Sequence, residues 1–424
     1  MPVFQHLSFP NATGAVAFPP ARLAWLAKFP LIVIEHAQGQ GYAYVARPNG
    51  TYGPEPYDPV RYDPTAAYQE QRAAEAAVAI KAHTPPGSLP AKVLYYQNTN
   101  SGLPYYAMAA AIADRTMRYS GNVKECLPAA PSHHGGDGML PNYRSFSWDH
   151  RNPAVTAHFV ESFRNATSGA LGGALDGTFM DTTGCYNAGS GQAAASLATG
   201  QAMQRAVPGK IVAFHACQSS AALSGAALGM GGAMDYTIAM PTTATAAAAA
   251  VAGDGGQTSV NQSGARAVEW MAANGAAGVL SLAHIGDTAY GTKYNYSLAV
   301  FLAGANNHSY FAFSSTYKKT PDFDQRWTDC SDTYSPVNHT PVPGTPSGWP
   351  QFPTWCAGQG YSPDYDRPLG APTGPAAPTG KGKMQVARTF ASGTTVRVDL
   401  LGATCLIRWA DGGYTVCEAG AGPE

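Results

Sequence analysis

Leu175-Asp176-Gly177-Thr178-Phe179-Met180-Asp181-Thr182-Thr183-Gly184 is the stretch on which the reading of this chain turns. It is an apolar, β-prone run that ends in a carboxylate where a Gly-containing loop begins, and it reads as a buried strand. Strand alternation puts residues 177, 179 and 181 on one face. Asp181 is therefore expected to point as Phe179 does, while Asp176 opens the strand on the opposite face. In a barrel of parallel strands the catalytic acids sit at the C-terminal strand ends. The competing reading makes Asp181 a cap or turn aspartate, and the rest of the chain decides between them.

Similar apolar segments recur on both sides: Phe29 to Ala37, Lys92 to Asn98, Arg144 to Asp149, Ala174 to Asp181, Lys210 to Cys217, Met234 to Met240, Gly278 to Ile285 and Ser309 to Ser314. Helix candidates lie between them, at Pro64 to His83, Pro104 to Tyr119, Pro153 to Thr167, Gly191 to Ala206, Gly264 to Asn274 and Lys293 to Ala303, several opened by Pro or a capping residue. Eight alternations predict an α/β chain of the (β/α)8 barrel class, and fully apolar strands suit its doubly buried sheet. An open doubly wound sheet is the rival, but no Gly-X-Gly-X-X-Gly turn follows the first strand. The barrel is assigned to residues 1–315. Residues 316–382, dense in Pro, Gly and aromatics, read as a loop or linker packed on it. Residues 383–424 alternate apolar and polar around a turn at Asp411-Gly412 and read as a small antiparallel β module.

The 424 residues carry a formal net charge of −1, only 12% are charged, and no basic stripe occurs, which argues against a nucleic-acid partner. No apolar run reaches the roughly 20 residues of a membrane span. The N-terminus lacks the regions of a signal peptide, so the chain is either cytosolic or given without its leader. Two features favour the second. Seven Asn-X-Ser/Thr sequons occur, at Asn11, Asn49, Asn165, Asn261, Asn295, Asn307 and Asn338. Of seven cysteines, Cys405 and Cys417 flank the Ala410-Asp411-Gly412-Gly413 turn at hairpin spacing and are the foremost disulfide pair. Cys330 with Cys356 would staple the Pro-rich segment and Cys185 with Cys217 would join neighbouring strand ends, leaving Cys126 over. A secreted, oxidised protein is expected.

The strand ends carry the chemistry: Glu35 and His36 on the first, Gln97 and Asn98 on the second, Trp148 and Asp149 on the third, Asp181 on the fourth, His215 on the fifth, His284 and Asp287 after the seventh. Carboxylates, amides and rings in one cleft suit a carbohydrate. Rings stack on sugar faces, amides and histidines bind hydroxyls, and two carboxylates protonate the leaving oxygen and attack carbon or activate water. A phosphate substrate would want Arg and Lys, which these ends lack. Each residue also has a structural reading: Asp149 as the cap of the next helix, His215 as a hydrogen-bonded core histidine, Glu35 as a buried carboxylate satisfied by amides. His133-His134 beside Gly135-Gly136-Asp137 suggests a metal, but adjacent histidines on a strand point apart, and no Cys-X-X-Cys pair exists. No metal or cofactor is expected.

Ser147-Trp148-Asp149-His150-Arg151-Asn152-Pro153-Ala154-Val155, together with Leu175 to Asp181, resembles the third- and fourth-strand signatures of glycoside-hydrolase-like TIM-barrel families, in particular hypothetical glycosyl hydrolase family 15. Tyr365-Asp366-Arg367-Pro368-Leu369-Gly370 and Val386 to Gly393 are similar to the lead-in to the C-terminal module of such proteins. The resemblance implies that Asp181 is the strand-four carboxylate, nucleophile or base, and that Asp149 shapes a sugar subsite. It also implies a second acid after strand five or six, where this chain has Gln218 and Met240.

Three expectations follow. The first is a secreted glycoside hydrolase acting on a poly- or oligosaccharide, with Asp181 as nucleophile or base, Glu35 as proton donor, and Trp148, Asp149, His36, Tyr96, Gln97, Asn98, His215, His284 and Asp287 lining the substrate site. The second is a catalytically degenerate barrel that binds glycan or self-assembles in an extracellular structure. The third is a lyase using His215 or Tyr96 as base, which would want a cationic cleft the sequence does not offer.

Overall fold

A computed structural model describes residues 4–7, 20–34, 44–46, 52–54, 69–102, 106, 115–119, 146–169, 171–184, 190–216, 229–235, 238, 263–285, 292–313, 362–380, 382–400 and 402–417. The fold class is α/β: a (β/α)8 barrel with a small C-terminal antiparallel β module. The eight parallel strands are β1 (Phe4–Leu7), β2 (Leu31–Ile34), β3 (Lys92–Asn98), β4 (Gly177–Thr183), β5 (Ile211–Ala216), β6 (Gly232–Asp235), β7 (Leu280–Ile285) and β8 (Ser309–Phe313). The described helices between them are α1 (Pro20–Leu26), α2 (Gln69–Ala82), α3 (Pro153–Thr167), α4 (Gln192–Ala206), α5 (Ser263–Ala276) and α6 (Thr292–Gly304).

Of the eight segments assigned from sequence one leaves the barrel, and one strand that was not assigned enters it. Phe4–Leu7, too short and too polar in its middle to stand out, is the first parallel strand and pairs with β2, Phe4 opposite Leu31. The segment expected as the third barrel strand does form a strand, Phe146–Trp148, but it belongs to a separate three-stranded antiparallel sheet with Ser101–Gly102 and Arg118–Tyr119. Alternation of Phe146 and Trp148 signalled a strand correctly; alternation does not say which sheet. Asp181 remains on the fourth strand because the omission and the intrusion cancel.

The chain divides into two compact units. In the first, residues 4–218 with 318–361, strands β1 to β5 pair in sequence order. Their apolar side chains, from Leu31 to Ile34 on β2 and Leu94, Phe179 and Phe214 on their neighbours, are fully buried. Helix α3 begins with Asn152, whose Oδ1 accepts the Ala154 N–H at 3.0 Å, followed by Pro153 at the first helical position, and it buries Val155, Phe159 and Phe163. At the N-terminal end of β4, Asp176 takes the Val93 N–H at 2.8 Å and Lys81 at 2.7 Å, while Lys210 donates to the Leu175 carbonyl at 2.7 Å. These contacts tie strand starts together at the end where barrels keep their stabilising residues. Gly177 is required there: a Cβ would lie 2.0 Å from the Ile211 carbonyl oxygen of β5.

The second unit contains residues 219–317 and 362–424 with 1–3. Strands β6, β7 and β8 pair in parallel order. The β module has five strands, β9 (Ala377–Gly380), β10 (Gly382–Thr389), β11 (Thr395–Asp399), β12 (Thr404–Arg408) and β13 (Tyr414–Cys417), in sequence order. Its inner face, Val396, Val398, Ile407 and Trp409, is buried. It is tied to α6 by Tyr296 OH to the Leu400 carbonyl at 3.1 Å, Asn295 Nδ2 to the Val416 carbonyl at 2.8 Å and Arg388 to the Ala303 carbonyl at 2.7 Å. Cys405 and Cys417 are register partners on β12 and β13 and form a disulfide. Cys126, Cys185, Cys217, Cys330 and Cys356 lie outside the described residues. Arg367 explains the Tyr365-to-Gly370 motif: it bonds Asp364 at 2.9 Å and Asp411 of the hairpin turn and lies 4.9 Å from the centre of the Trp409 ring.

Candidate active site

The end of β4 is irregular, and the irregularity builds the site. Met180 pairs with Phe214 of β5 and Thr183 pairs with Ala216, so Asp181 and Thr182 together face His215 alone. One extra residue in β4 makes a β-bulge, a device that turns side chains at barrel rims. Thr182 takes up the bulge with φ of +57°, a left-handed conformation that costs a β-branched residue on the order of 1 kcal/mol or more. The strain is held by hydrogen bonds. The Thr182 hydroxyl lies 2.8 Å from Asn98 Oδ1 and 2.7 Å from the Asp181 carbonyl. That carbonyl also receives the Thr99 N–H at 3.1 Å and the Thr99 hydroxyl at 2.7 Å.

Within this frame the Asp181 carboxylate meets three groups. Oδ1 accepts the Thr182 N–H at 2.8 Å and lies 3.0 Å from His215 Nδ1 on β5. Oδ2 accepts the Tyr96 hydroxyl from β3 at 2.8 Å. The carboxylate retains 19% of its side-chain exposure and His215 retains 17%, so both are accessible yet largely withdrawn from solvent. Tyr96 stacks beside Phe179 at 6.0 Å and receives Asn98 Nδ2 at 3.0 Å. Asn98 Oδ1 in turn accepts the N–H groups of Asn100 and Ser101 at 2.9 and 2.8 Å.

A second layer lies behind Thr99. Buried His150 bonds the Thr99 carbonyl through Nε2 at 2.6 Å, so Nε2 carries the proton, and its Nδ1 is 3.0 Å from the Thr199 hydroxyl. Burial pushes the His150 imidazole down to about 4, against the opposite pulls of the Thr99 carbonyl and Asp149, and it is neutral at pH 7. The His150 N–H donates to Gln192 Oε1, and Gln192 Nε2 donates to Asp149. Partial burial would raise the Asp149 carboxyl, but hydrogen bonds from Arg151 and Gln192 and the Arg151 charge outweigh it and hold the group below the usual carboxylate range.

The structure thus brings Asp181, Tyr96, Asn98 and His215 together. It sets others apart. Gln97, next along β3, is 1% exposed and by alternation faces away from Asn98. Trp148 is 1% exposed, its ring edge-on to Phe159 at 5.1 Å, so it offers no sugar platform. Asp149 is engaged by Arg151 at 3.0 Å through both oxygens, and the helix cap expected of it is Asn152. His284 is fully buried on β7 in the second unit. Strand β6 spans Gly232–Asp235, so an aspartate rather than Met240 stands at its end. Glu35, His36, His133, His134, Met240 and Asp287 lie outside the described residues. Thr99, Thr182, His150 and Gln192 were not singled out by sequence. Asn98-Thr99-Asn100-Ser101 at a strand end, a run of residues that bond backbone, was the available signal.

Among the described residues no group of three or more His, Cys, Asp or Glu is placed to hold a metal ion, and no helix is long and apolar enough to cross a membrane. An ionised carboxylate held by three donors at a strand end is equipped to take a proton from water or to attack an electrophilic carbon.

No protein-family model matches the chain, and no curated protein matches its sequence. Solved structures similar to it include Amy13B of Eubacterium rectale, at 9% identity and a TM-score of 0.47, covering 96% of this chain and 86% of that one. Another is the α-amylase of Geobacillus thermoleovorans complexed with acarbose, at 10% identity and 0.45, covering 98% and 96%. A third is a GH27 β-L-arabinopyranosidase from Geobacillus stearothermophilus, at 11% identity and 0.45, covering 96% and 83%. At these identities no residue role transfers to this chain.

Proposed function

We propose that this chain is a secreted glycoside hydrolase acting on a poly- or oligosaccharide, with Asp181 as nucleophile or base and Glu35 as proton donor. The observation that carries the reading is the Asp181 carboxylate at the end of β4, fixed by Tyr96, Thr182 and His215 and still partly exposed. Glycosidic cleavage asks for such a group on one side of the anomeric carbon and an acid on the other. As nucleophile, Asp181 forms a bond to that carbon while the glycosidic bond breaks and the leaving oxygen takes the Glu35 proton; as base, it takes a proton from the attacking water. Glu35 directly follows Ile34, the last residue of β2.

Secretion draws support from the Cys405–Cys417 disulfide, which suits an oxidising compartment. Asn165 and Asn307 are exposed sequons and the proposed glycan carriers, whereas Asn295 is engaged by Val416.

The test is hydrolysis of a panel of aryl glycosides and soluble polysaccharides by the parent, Asp181→Asn and Glu35→Gln. The parent is expected to cleave at least one, and each variant to lose roughly 10²- to 10⁴-fold in kcat. Full activity in either variant overturns its assignment. Binding of a glycan with no cleavage by the parent would leave the non-catalytic barrel in its place.

A further inference from the structure

We infer that His215 is a positioning residue of this site, and that with Thr182 it commits Oδ1 of Asp181 and leaves Oδ2 as the reacting oxygen. The inference deepens the glycosidase reading and rests on it for its catalytic part. The hydrogen-bond logic starts at backbone, where donors are unambiguous. The N–H groups of Asn100 and Ser101 both point at one atom of the Asn98 amide, which must be its oxygen. Asn98 Nδ2 therefore faces the Tyr96 hydroxyl and donates to it. The phenolic proton then goes to Asp181 Oδ2. On the other oxygen, the Thr182 N–H donates to Oδ1, and an ionised carboxylate offers no proton, so His215 Nδ1 carries the hydrogen across the 3.0 Å to Oδ1.

Among the described residues, Oδ1 thus spends both lone pairs on two donors from two elements, while Oδ2 spends one and keeps one. The oxygen with the uncommitted lone pair forms the bond to carbon or takes the proton, and Oδ1 becomes the carbonyl oxygen with its two donors in place. Among the described residues, the groups facing the carboxylate are the Tyr96 phenol from β3, His215 from β5 and the Thr182 amide from β4 itself. Removing the His215 donor weakens the hold on Oδ1 and leaves the carboxylate free to turn.

Two measurements test this. Nitrogen-15 NMR of imidazole-labelled protein, with His215 assigned by a His215→Gln variant, is expected to show the Nδ1–H tautomer in the parent and a changed His215 signal in Asp181→Ala, which removes the acceptor. An Nε2–H tautomer in the parent, or an unchanged His215 signal in Asp181→Ala, overturns the proposal whether or not any glycoside is cleaved. Against a cleaved glycoside, His215→Phe is expected to lower kcat roughly 10- to 100-fold, the worth of one hydrogen bond to a charged group, with KM little changed. His215→Asn places its Nδ2–H where the Nδ1–H was and is expected to restore most of kcat. Equal losses in the two variants, with native circular dichroism, would count against positioning. If the parent cleaves nothing, the glycosidase reading fails and the tautomer result still decides the role of His215 at Asp181.

Discussion

Tyr96 and Asp181 stand on neighbouring strands two residues out of register, and the phenolic hydroxyl spans that offset to donate to Oδ2 at 2.8 Å. The offset follows from side-chain length: Tyr96 faces Phe179 in register, and only a long side chain with a polar tip packs on that ring and reaches the next residue of the same face. Asn98, in register with Asp181, supports the phenol from behind.

Tyr96→Phe keeps the ring and removes the donor. Asp181 Oδ2 loses its partner and Asn98 Nδ2 loses its acceptor, so unfolding free energy is expected to fall by about 1 to 3 kcal/mol. The midpoint of urea unfolding measures it. A midpoint equal to that of the parent would show that the hydroxyl contributes nothing net to the folded state.

His150 gives the chain an acid sensitivity with a definite sign. Its folded value, pushed down to about 4, lies below the ordinary value of 6.5, so the unfolded chain binds the proton first as pH falls. Stability from the neutral buried ring is complete above pH 6.5, is lost as pH falls from 6.5 to about 4, and amounts in full to roughly 3 kcal/mol. His150→Gln keeps a donor for the Thr99 carbonyl and cannot titrate. Urea midpoints taken between pH 7 and pH 4.5 should therefore fall more steeply for the parent than for the variant, and parallel slopes would remove His150 as the cause.

Gly177 marks the entry of β4. A Cβ at this position would meet the Ile211 carbonyl oxygen at 2.0 Å and its Cα at 2.9 Å, both backbone atoms of the adjoining strand that have nowhere to go. Gly177→Ala is expected to cost about 2 to 4 kcal/mol through forced separation of β4 and β5. The reading would be wrong if differential scanning calorimetry found the variant as stable as the parent.

The parts of this fold that local pattern encodes were readable: the apolar strands β3, β4, β5 and β7, the Asn152-Pro153 start of α3, and the Cys405–Cys417 hairpin, whose partners lie 12 residues apart. Phe4–Leu7 was not readable, since Phe-Gln-His-Leu becomes a strand only by pairing with β2. Asp181 was visible because a carboxylate closing an apolar run is anomalous by itself. Tyr96 and His215 were named as site residues but not as its partners, because those contacts cross 85 and 34 residues of sequence, and the network through Thr99, His150 and Gln192 crosses 42 to 82. Such bonds are set by register and by one bulge, neither of which a single sequence spells out. Trp148 shows the converse error, an aromatic at a strand end read as a sugar platform when tertiary packing had already buried it.

The Cys405–Cys417 disulfide closes a loop around the β12–β13 hairpin, with a sequence separation of 12. Closing a loop of that size removes unfolded-state freedom worth about 3 kcal/mol in the chain-entropy account. Strand β13 is the edge of the five-stranded sheet and exposes Tyr414 and Val416; besides its pairing with β12 it is held by the disulfide, the Asn295 bond and the Trp409 Nε1–H donated to the Thr415 hydroxyl at 2.9 Å. A Cys405→Ala, Cys417→Ala double variant should therefore lose protection first in β13 and then in β12. Amide hydrogen exchange resolves the order: faster exchange in Tyr414–Cys417, with β10 and β11 nearly unchanged, is the expected pattern. Uniform acceleration across the module would instead mean that the bond stabilises the sheet as one cooperative unit.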